Sequence, residues 1–149
     1  MRGAKLVGIA VGLLLVAQLV PYGCTHHNPA VASEPSWNAP STRDLFFRAC
    51  RDCHSNETVW PWYSYIAPVS WLVASDVDEG REHFNVSDWD RPKQDGDKAA
   101  EMVREEDMPL WFYLPLHPEA RLSAAERQQL IAGLEATFGS SDEDSDSDD

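Results

Sequence analysis

The pattern of apolar and polar residues predicts helices in four segments of the chain, and no segment has the length expected of a strand. The first helix is predicted to begin at Ser41, where Ser41-Thr42-Arg43-Asp44 has the form of a capping box. Its apolar face continues into Cys50. A second helix is predicted over residues 70–81, where apolar residues again stand at near-helical spacing.

Two further helices complete the pattern. A charged segment, 97–106, is predicted to be helical and to stop before Met108-Pro109. The last helix opens with a full capping box, Ser123-Ala124-Ala125-Glu126, and Gly139 follows its end. It has one apolar face, formed by Leu130, Ile131, Leu134 and Phe138. These helices predict one small all-α domain over residues 41–139.

A continuous apolar run stands before this domain. Arg2 and Lys5 precede residues 6–20, which are interrupted only by Gln18. Ten of those fifteen residues are Leu, Ile or Val, which favours insertion into a bilayer by about 3 to 6 kcal/mol. We therefore predict a signal-anchor, a transmembrane helix over residues 1–23, followed by a proline-rich linker over residues 24–40. Such an anchor would make a single-pass protein of the bacterial inner membrane with its domain on the periplasmic side.

Two alternatives to the anchor stay open. Ala30-Val31-Ala32 has the A-x-A pattern of a signal-peptide cleavage site, which would release a soluble periplasmic protein. Gly23-Cys24 also resembles a lipoprotein site, with lipid attached to Cys24. All three routes export the rest of the chain.

Charge limits the partners of the chain. Its 149 residues carry a formal net charge of −13 at pH 7, which argues against binding to nucleic acid or to an anionic membrane surface. Residues 140–149 contain six acidic residues and no basic one, and are predicted to form a disordered, solvated tail. The remaining domain is small enough that a bound apolar group would add substantially to its core.

The segment Cys50-Arg51-Asp52-Cys53-His54 carries the most specific chemistry in the chain. Two thiols at this spacing can add to the two vinyl groups of one haem, and the adjacent imidazole then binds the iron as proximal ligand. The motif predicts a single, covalently attached haem c. Attachment requires an exported apoprotein and a haem c maturation machinery. We expect a proline carbonyl, of Pro61 or Pro68, to accept the Nδ1–H hydrogen bond of His54.

A redox disulfide and half of a zinc site are the other interpretations of a C-x-x-C pair. Zinc would need a second pair of ligands at finger-like spacing, and the only other cysteine is Cys24. A thioredoxin-like pair would need a βαβ setting, whereas a helix is predicted before Cys50. Haem is therefore the preferred interpretation.

An aromatic segment follows the motif. Its rings can form a satellite of the core, or they can wall a porphyrin while their polar atoms reach the haem propionates. The candidate pocket residues in this segment are Trp60, Trp62 and Trp71. Arg81, further along, is a candidate partner for a propionate.

The second axial position of the iron is assigned to Met108. This residue follows the third predicted helix, and Pro109 disfavours helical backbone at Met108, so that a loop can present the thioether to the iron. Filling of core space is the other interpretation of such a methionine. The remaining candidates for the distal position are Met102, His83 and His117, and either histidine would give a lower potential than methionine.

Several motifs together resemble one known family. They include Cys50-x-x-Cys53-His54-Ser55-Asn56, the aromatic segment from Thr58 to Trp71, Met108-Pro109, and Leu116-His117-Pro118-Glu119-Ala120-Arg121-Leu122-Ser123. The chain, apart from its acidic tail, resembles the bacterial haem-binding domain proteins, membrane-anchored relatives of cytochrome c. The resemblance implies a cytochrome c-like fold, haem c on the two cysteines, His54 as axial ligand and a retained anchor. Cys24 departs from the pattern, since a basic residue is expected there.

These features predict a membrane-tethered periplasmic one-electron carrier rather than an enzyme, with a redox partner that the sequence does not identify. A peroxidase-like enzyme is one alternative, and it would need a labile distal site beside an acid–base group such as His83 or His117. A haem-based sensor of redox state or of a gas is another, and it would need an output module.

Overall fold

The computed structural model describes residues 2–140, which form six α-helices joined by loops and three short 3-10 helices. The α-helices are α1 (Arg2–Ala17), α2 (Pro40–Ala49), α3 (Arg51–His54), α4 (Val69–His83), α5 (Ala99–Arg104) and α6 (Ala124–Phe138). The 3-10 helices are Trp62–Tyr65, Gly96–Lys98 and Pro118–Ala120. Extended pairing within residues 2–140 is limited to one isolated bridge, between Ser33 and Asp88. The prediction of an all-α domain is confirmed.

The start of α2 differs from the prediction. Its first residue is Pro40, its N-cap is Ala39, and no side chain caps it. The capping box expected at Ser41 is therefore wrong. Because proline already has helical φ and lacks the N–H that a cap would satisfy, Pro40 can open the helix one residue earlier.

The later helices follow the sequence pattern closely. Helix α4 contains the predicted segment 70–81, and the predicted segment 97–106 is divided between a 3-10 turn and α5. In α6 the capping box is formed as expected. Ser123 Oγ accepts the Glu126 N–H at 3.3 Å, and Glu126 Oε2 accepts the Ser123 N–H at 2.8 Å. Gly139 ends the helix with a φ of 84°.

The hydrophobic core lies where α6 packs against α2 and α5. Leu130, Ile131 and Leu134 of α6 are buried, and Phe138 packs against this core and stacks on Trp89 at 4.6 Å. The predicted apolar face of α6 is thus the face that enters the core. The remaining buried apolar residues of this core are Leu45, Phe46, Phe84, Val86, Ala99, Ala100 and Val103.

Helices α2 and α6 approach so closely at Gly133 that a methyl group has no room. A Cβ there would lie 2.6 Å from Cγ2 of Thr42 and in contact with its Oγ1, and Thr42 is itself buried. We expect Gly133→Ala to lower the free energy of unfolding by about 1 to 3 kcal/mol, because overpacking outweighs the gain in helix propensity. Denaturant unfolding measures this change. Gly12→Ala is the matched control, since a Cβ at Gly12 in α1 meets no atom within 4 Å; an equal loss in both variants would contradict the packing argument.

The N-terminal prediction requires a correction. Helix α1 has 16 residues, a length of about 24 Å against the roughly 30 Å of a bilayer core. Among the helices of residues 2–140, none has both the length and the apolar character needed to cross a membrane. The predicted transmembrane helix and the single-pass inner-membrane location are therefore wrong.

Gln18, the residue directly after α1, joins this end of the helix to the domain. Its Nε2 donates to the carbonyl of Ala67 at 2.8 Å, and its Oε1 accepts the Ala67 N–H at 3.1 Å. The one polar residue in the apolar run thus binds the backbone of the segment before α4. The large apolar side chains from Leu6 to Val16 are 50 to 68% exposed and lie outside the core.

Residues 24–40 lie against the domain through specific hydrogen bonds. Asn28 Nδ2 donates to the Thr58 carbonyl at 2.9 Å, and the Ala32 N–H donates to the Ser87 carbonyl at 2.8 Å. The predicted acidic tail, 140–149, falls outside the described residues except for Ser140.

Candidate functional site

The C-x-x-C-H motif forms one tight helical turn directly after α2. The Cys50 N–H closes α2 on the Phe46 carbonyl at 2.7 Å, and the Cys50 carbonyl then accepts the N–H groups of Cys53 at 3.3 Å and His54 at 3.0 Å. Both thiols and the imidazole are therefore fixed on one short segment. All three side chains line the same cavity.

This cavity has a volume of about 670 Å³, within the usual range for cofactor sites. Its walls come from α2, α4, α5, α6 and the loop after α5, and they are largely apolar. The wall residues include Phe46, Leu72, Phe84, Val103, Leu110, Phe112 and Leu134. An apolar cavity with two thiols and one imidazole fits a haem, which needs apolar contact for its ring and an axial nitrogen for its iron.

Cys50 and Cys53 are free thiols, and burial is the main factor that raises the pKa of each to about 12. Asp76 and Asp52 raise the pKa of Cys53 further. A reactive redox pair requires the opposite, a thiolate stabilised by a lowered pKa. The thiol environment thus disfavours the redox-pair interpretation. As for the zinc interpretation, no three His, Cys, Asp or Glu side chains within residues 2–140 cluster so as to hold a metal ion.

His54 is buried and held by the residue that follows α4. Its Nδ1 lies 3.2 Å from the Phe84 carbonyl, and its ring stacks on the Phe84 ring at 4.2 Å. Because a carbonyl only accepts, Nδ1 carries the proton and Nε2 keeps the lone pair that can bind iron. Burial lowers the pKa of His54 to about 4, so the imidazole is neutral at physiological pH.

The expected proline partner of His54 is therefore wrong. The carbonyl of Pro61 accepts hydrogen bonds from Ser64, and the carbonyl of Pro68 accepts the Trp71 N–H at 3.1 Å. Phe84 takes the role because α4 ends beside His54. No sequence signal distinguishes this carbonyl from others near a helix end.

Two further contacts fix the motif against α4 and the segment after it. A Cβ at Gly80 would lie 2.6 Å from the Cys53 carbonyl oxygen, so only glycine permits this approach of α4. The Val86 N–H donates to the His54 carbonyl at 2.9 Å. The motif thus contacts both α4 and the segment after it, and the sequence alone does not show that these parts of the chain meet.

Met108 lines the cavity from a loop outside α5. The N–H groups of Asp107 and Met108 both donate to the Met102 carbonyl, at 3.0 and 3.1 Å, which turns the chain back beside the helix end. Met102 also lines the cavity. Both methionines therefore share the cavity with His54.

The two histidine candidates for the distal position differ in placement. His83 lines the cavity, with its side chain 70% exposed and its Nδ1 3.3 Å from Asp95. His117 does not line it. The Nδ1 of His117 donates to the Tyr113 carbonyl at 2.9 Å, and its Nε2 accepts from the Tyr63 hydroxyl at 3.2 Å. Both nitrogens of His117 are thus in use elsewhere.

The three candidate tryptophans do not line the cavity. Trp60 stacks on His26 at 4.4 Å and donates to Asn28 at 3.1 Å. The Trp62 side chain is 75% exposed. Trp71 is half-buried, and its Nε1 has no hydrogen-bond partner among the described residues. The structure therefore does not bring any of the three to the cavity lining.

Arg81 also lies away from the cavity lining. Its guanidinium donates to the carbonyls of Ser55 at 2.9 Å and His27 at 3.0 Å, and to the side chains of Asn28 and Thr58. These bonds join α4, the segment after the motif and residues 24–40. Arg81 thus stabilises the packing of these three segments against one another.

Asp52 and Tyr113 are cavity residues that sequence reasoning missed. The Tyr113 hydroxyl donates to Asp52 Oδ2 at 2.9 Å, and both side chains line the cavity. Burial and the Asp52 carboxylate raise the pKa of Tyr113 well above its usual range, so the phenol stays protonated and donates. Asp52 is an unspecified position of the motif, and its partner lies 61 residues away, so no local pattern indicates the pair.

Comparison with known families agrees with this site. A family model described as a haem-binding domain matches residues 12–136, which include the C-x-x-C-H motif and Met108. The chain belongs to the haem-binding domain family. Haem is therefore its cofactor, and the resemblance that the motifs indicated is confirmed. Comparison with curated proteins gave no match, and comparison with solved structures gave none.

Proposed function

We propose that this haem-binding protein is a one-electron carrier with one haem c attached to Cys50 and Cys53 and with iron held by His54 and Met108. The observation that carries the proposal is that one apolar cavity is lined by both thiols, by the imidazole and by Met108. When bound, haem supplies the exchange of one electron between its ferrous and ferric states.

The two cysteines attach the cofactor. Each thiol would add across one vinyl group of the haem: the S–H bond and the π bond of the vinyl group would be replaced by one C–S and one C–H bond, with no atom lost. Burial raises the pKa of each thiol to about 12, so both thiols are protonated in the folded chain at physiological pH.

His54 and Met108 would complete the coordination of the iron. The hydrogen bond from Nδ1 to the Phe84 carbonyl fixes the plane of the imidazole and leaves the lone pair of Nε2 available to hold iron. Two protein ligands that stayed in place in both oxidation states would reduce the reorganisation that accompanies electron transfer. The apolar walls of the cavity limit the access of water, and methionine ligation raises the potential.

We expect Met108→Ala to abolish the Met–iron charge-transfer band at the red end of the ferric spectrum and to lower the midpoint potential, because the thioether ligand is gone. A visible spectrum and a redox titration of protein made with the maturation machinery measure both changes. Met102→Ala is the matched control, as Met102 lines the same cavity from α5.

The same experiment separates the carrier from a peroxidase-like enzyme. A band that survives in Met108→Ala but disappears in Met102→Ala would move the distal ligand to Met102. A wild-type spectrum without the band, combined with rapid binding of added ligands, would contradict the carrier and favour an enzyme or a sensor with an open distal position.

A further inference from the structure

The hydrogen bond between Asp52 and Tyr113 joins the C-x-x-C-H motif to the loop that carries Met108. Asp52 lies between the two attachment cysteines, and Tyr113 comes five residues after Met108 on the loop that follows α5. Both side chains line the cavity. The bond between them is therefore a direct contact between the attachment motif and the loop that carries Met108, called the Met108 loop below.

Asp52 is a fixed acceptor. Its side chain is 16% exposed, its Oδ1 accepts the Val59 N–H at 3.0 Å, and its backbone carbonyl accepts the Thr58 hydroxyl at 2.7 Å. Its Oδ2 is then directed to the Tyr113 hydroxyl at 2.9 Å. A carboxylate held in this way makes a stronger hydrogen bond than a neutral acceptor.

Tyr113 is held from its other side by His117. The imidazole stacks on the phenol at 3.6 Å with an interplanar angle of 10°, and His117 Nδ1 donates to the Tyr113 carbonyl. The Tyr63 hydroxyl in turn donates to His117 Nε2. The phenol is therefore oriented before any cofactor is present.

The Met108 loop is thus fixed at two points. At its start, the N–H groups of Asp107 and Met108 bind the Met102 carbonyl, and further along Tyr113 binds Asp52. We propose that the Asp52–Tyr113 hydrogen bond is the latch that holds this loop against the cavity and so keeps the Met108 thioether on the iron. Asp52 and Tyr113 act as positioning residues. The inference rests on the proposed His54 and Met108 ligation.

Displacement of Met108 by added imidazole tests the latch in the ferric haem-loaded protein. Tyr113→Phe removes only the hydroxyl, and we expect imidazole to displace the methionine at about ten- to a hundredfold lower concentration, the range for losing a hydrogen bond to a charged group. Asp52→Asn keeps a neutral hydrogen bond, so it should lower the imidazole concentration needed for displacement by a smaller factor. The double variant should not bind imidazole more tightly than Tyr113→Phe does, since both changes act on the same hydrogen bond and Tyr113→Phe already removes it.

Tyr65→Phe is the matched control, because Tyr65 is an exposed tyrosine that packs on His26 and lies outside the cavity lining. Its imidazole affinity should equal that of the wild type. A wild-type Met–iron band together with equal imidazole affinities in wild type, Tyr113→Phe and Tyr65→Phe would overturn the latch and leave the carrier intact. Absence of the band from the wild type would overturn both.

Discussion

Replacement of both Cys50 and Cys53 by alanine is expected to remove all haem that survives denaturation. In the proposed site each thiol supplies one thioether, and these are the two cysteines among the residues that line the cavity. Haem that enters the cavity of the double variant is held only by the iron ligands and by apolar contact, so denaturation releases it. Haem-stained denaturing electrophoresis, with protein made alongside the maturation machinery, measures the loss.

Cys24→Ala is the control for this experiment. Cys24 is an exposed free thiol that does not line the cavity, so its variant should stain as strongly as the wild type. Each single replacement, Cys50→Ala or Cys53→Ala, leaves one thioether position and should stain more weakly. Full staining of the double variant would show that the attachment is elsewhere or that the stained haem is bound by other means.

Replacement of His54 by alanine is expected to remove the nitrogen ligand that the proposed site provides for the ferric haem. His54 is buried and neutral, and its Nε2 is free to coordinate because Nδ1 binds the Phe84 carbonyl. We expect a large fall in haem content and, in the protein that retains haem, loss of the low-spin spectrum. Added imidazole should restore that spectrum, because it supplies the missing nitrogen in the space that the side chain leaves.

His83→Ala provides the comparison for His54→Ala. His83 also lines the cavity, but its side chain is largely exposed and its Nδ1 faces Asp95. Its replacement should leave haem content and the low-spin spectrum unchanged. An unchanged spectrum in His54→Ala, with a changed spectrum in His83→Ala, would assign the nitrogen ligand to His83.

The grouping of the two thiols with the imidazole could be predicted from sequence because it is local. Cys50, Cys53 and His54 lie on one helical turn, so their spacing alone brings them to one site. The capping box of α6 is equally local, as Ser123 and Glu126 satisfy each other's backbone groups within four residues. The grouping of these three side chains and the capping box are both confirmed for that reason, whereas covalent attachment of haem stays a prediction.

The support of the site could not be predicted, because it depends on contacts between distant segments. The Phe84 carbonyl reaches His54 only because α4 packs beside the motif, where Gly80 permits the close approach. Arg81 was expected to reach the cofactor, yet its donors are used by carbonyls and side chains behind the motif. The sequence gives the type of each residue but not which of several possible hydrogen-bond partners it contacts in the fold.

The N-terminal run shows that hydropathy does not determine the length of a helix. Hydrophobicity alone favours a helix continuing through residues 6–20, but α1 ends at Ala17, and Gln18 binds the Ala67 backbone through both its amide atoms. A hydropathy sum counts Gln18 only as a slightly less favourable residue for membrane insertion. In the structure its side chain makes a tertiary contact with the domain.

The mass of the intact, denatured protein decides whether this is a haem c protein. Thioether formation loses no atom, so protein made with the maturation machinery should have the mass of its polypeptide plus one whole haem. The Cys50→Ala, Cys53→Ala double variant should have the mass of its polypeptide alone. A wild-type mass equal to that of the bare polypeptide, with haem recovered separately, would contradict covalent attachment and leave a noncovalent haem-binding protein.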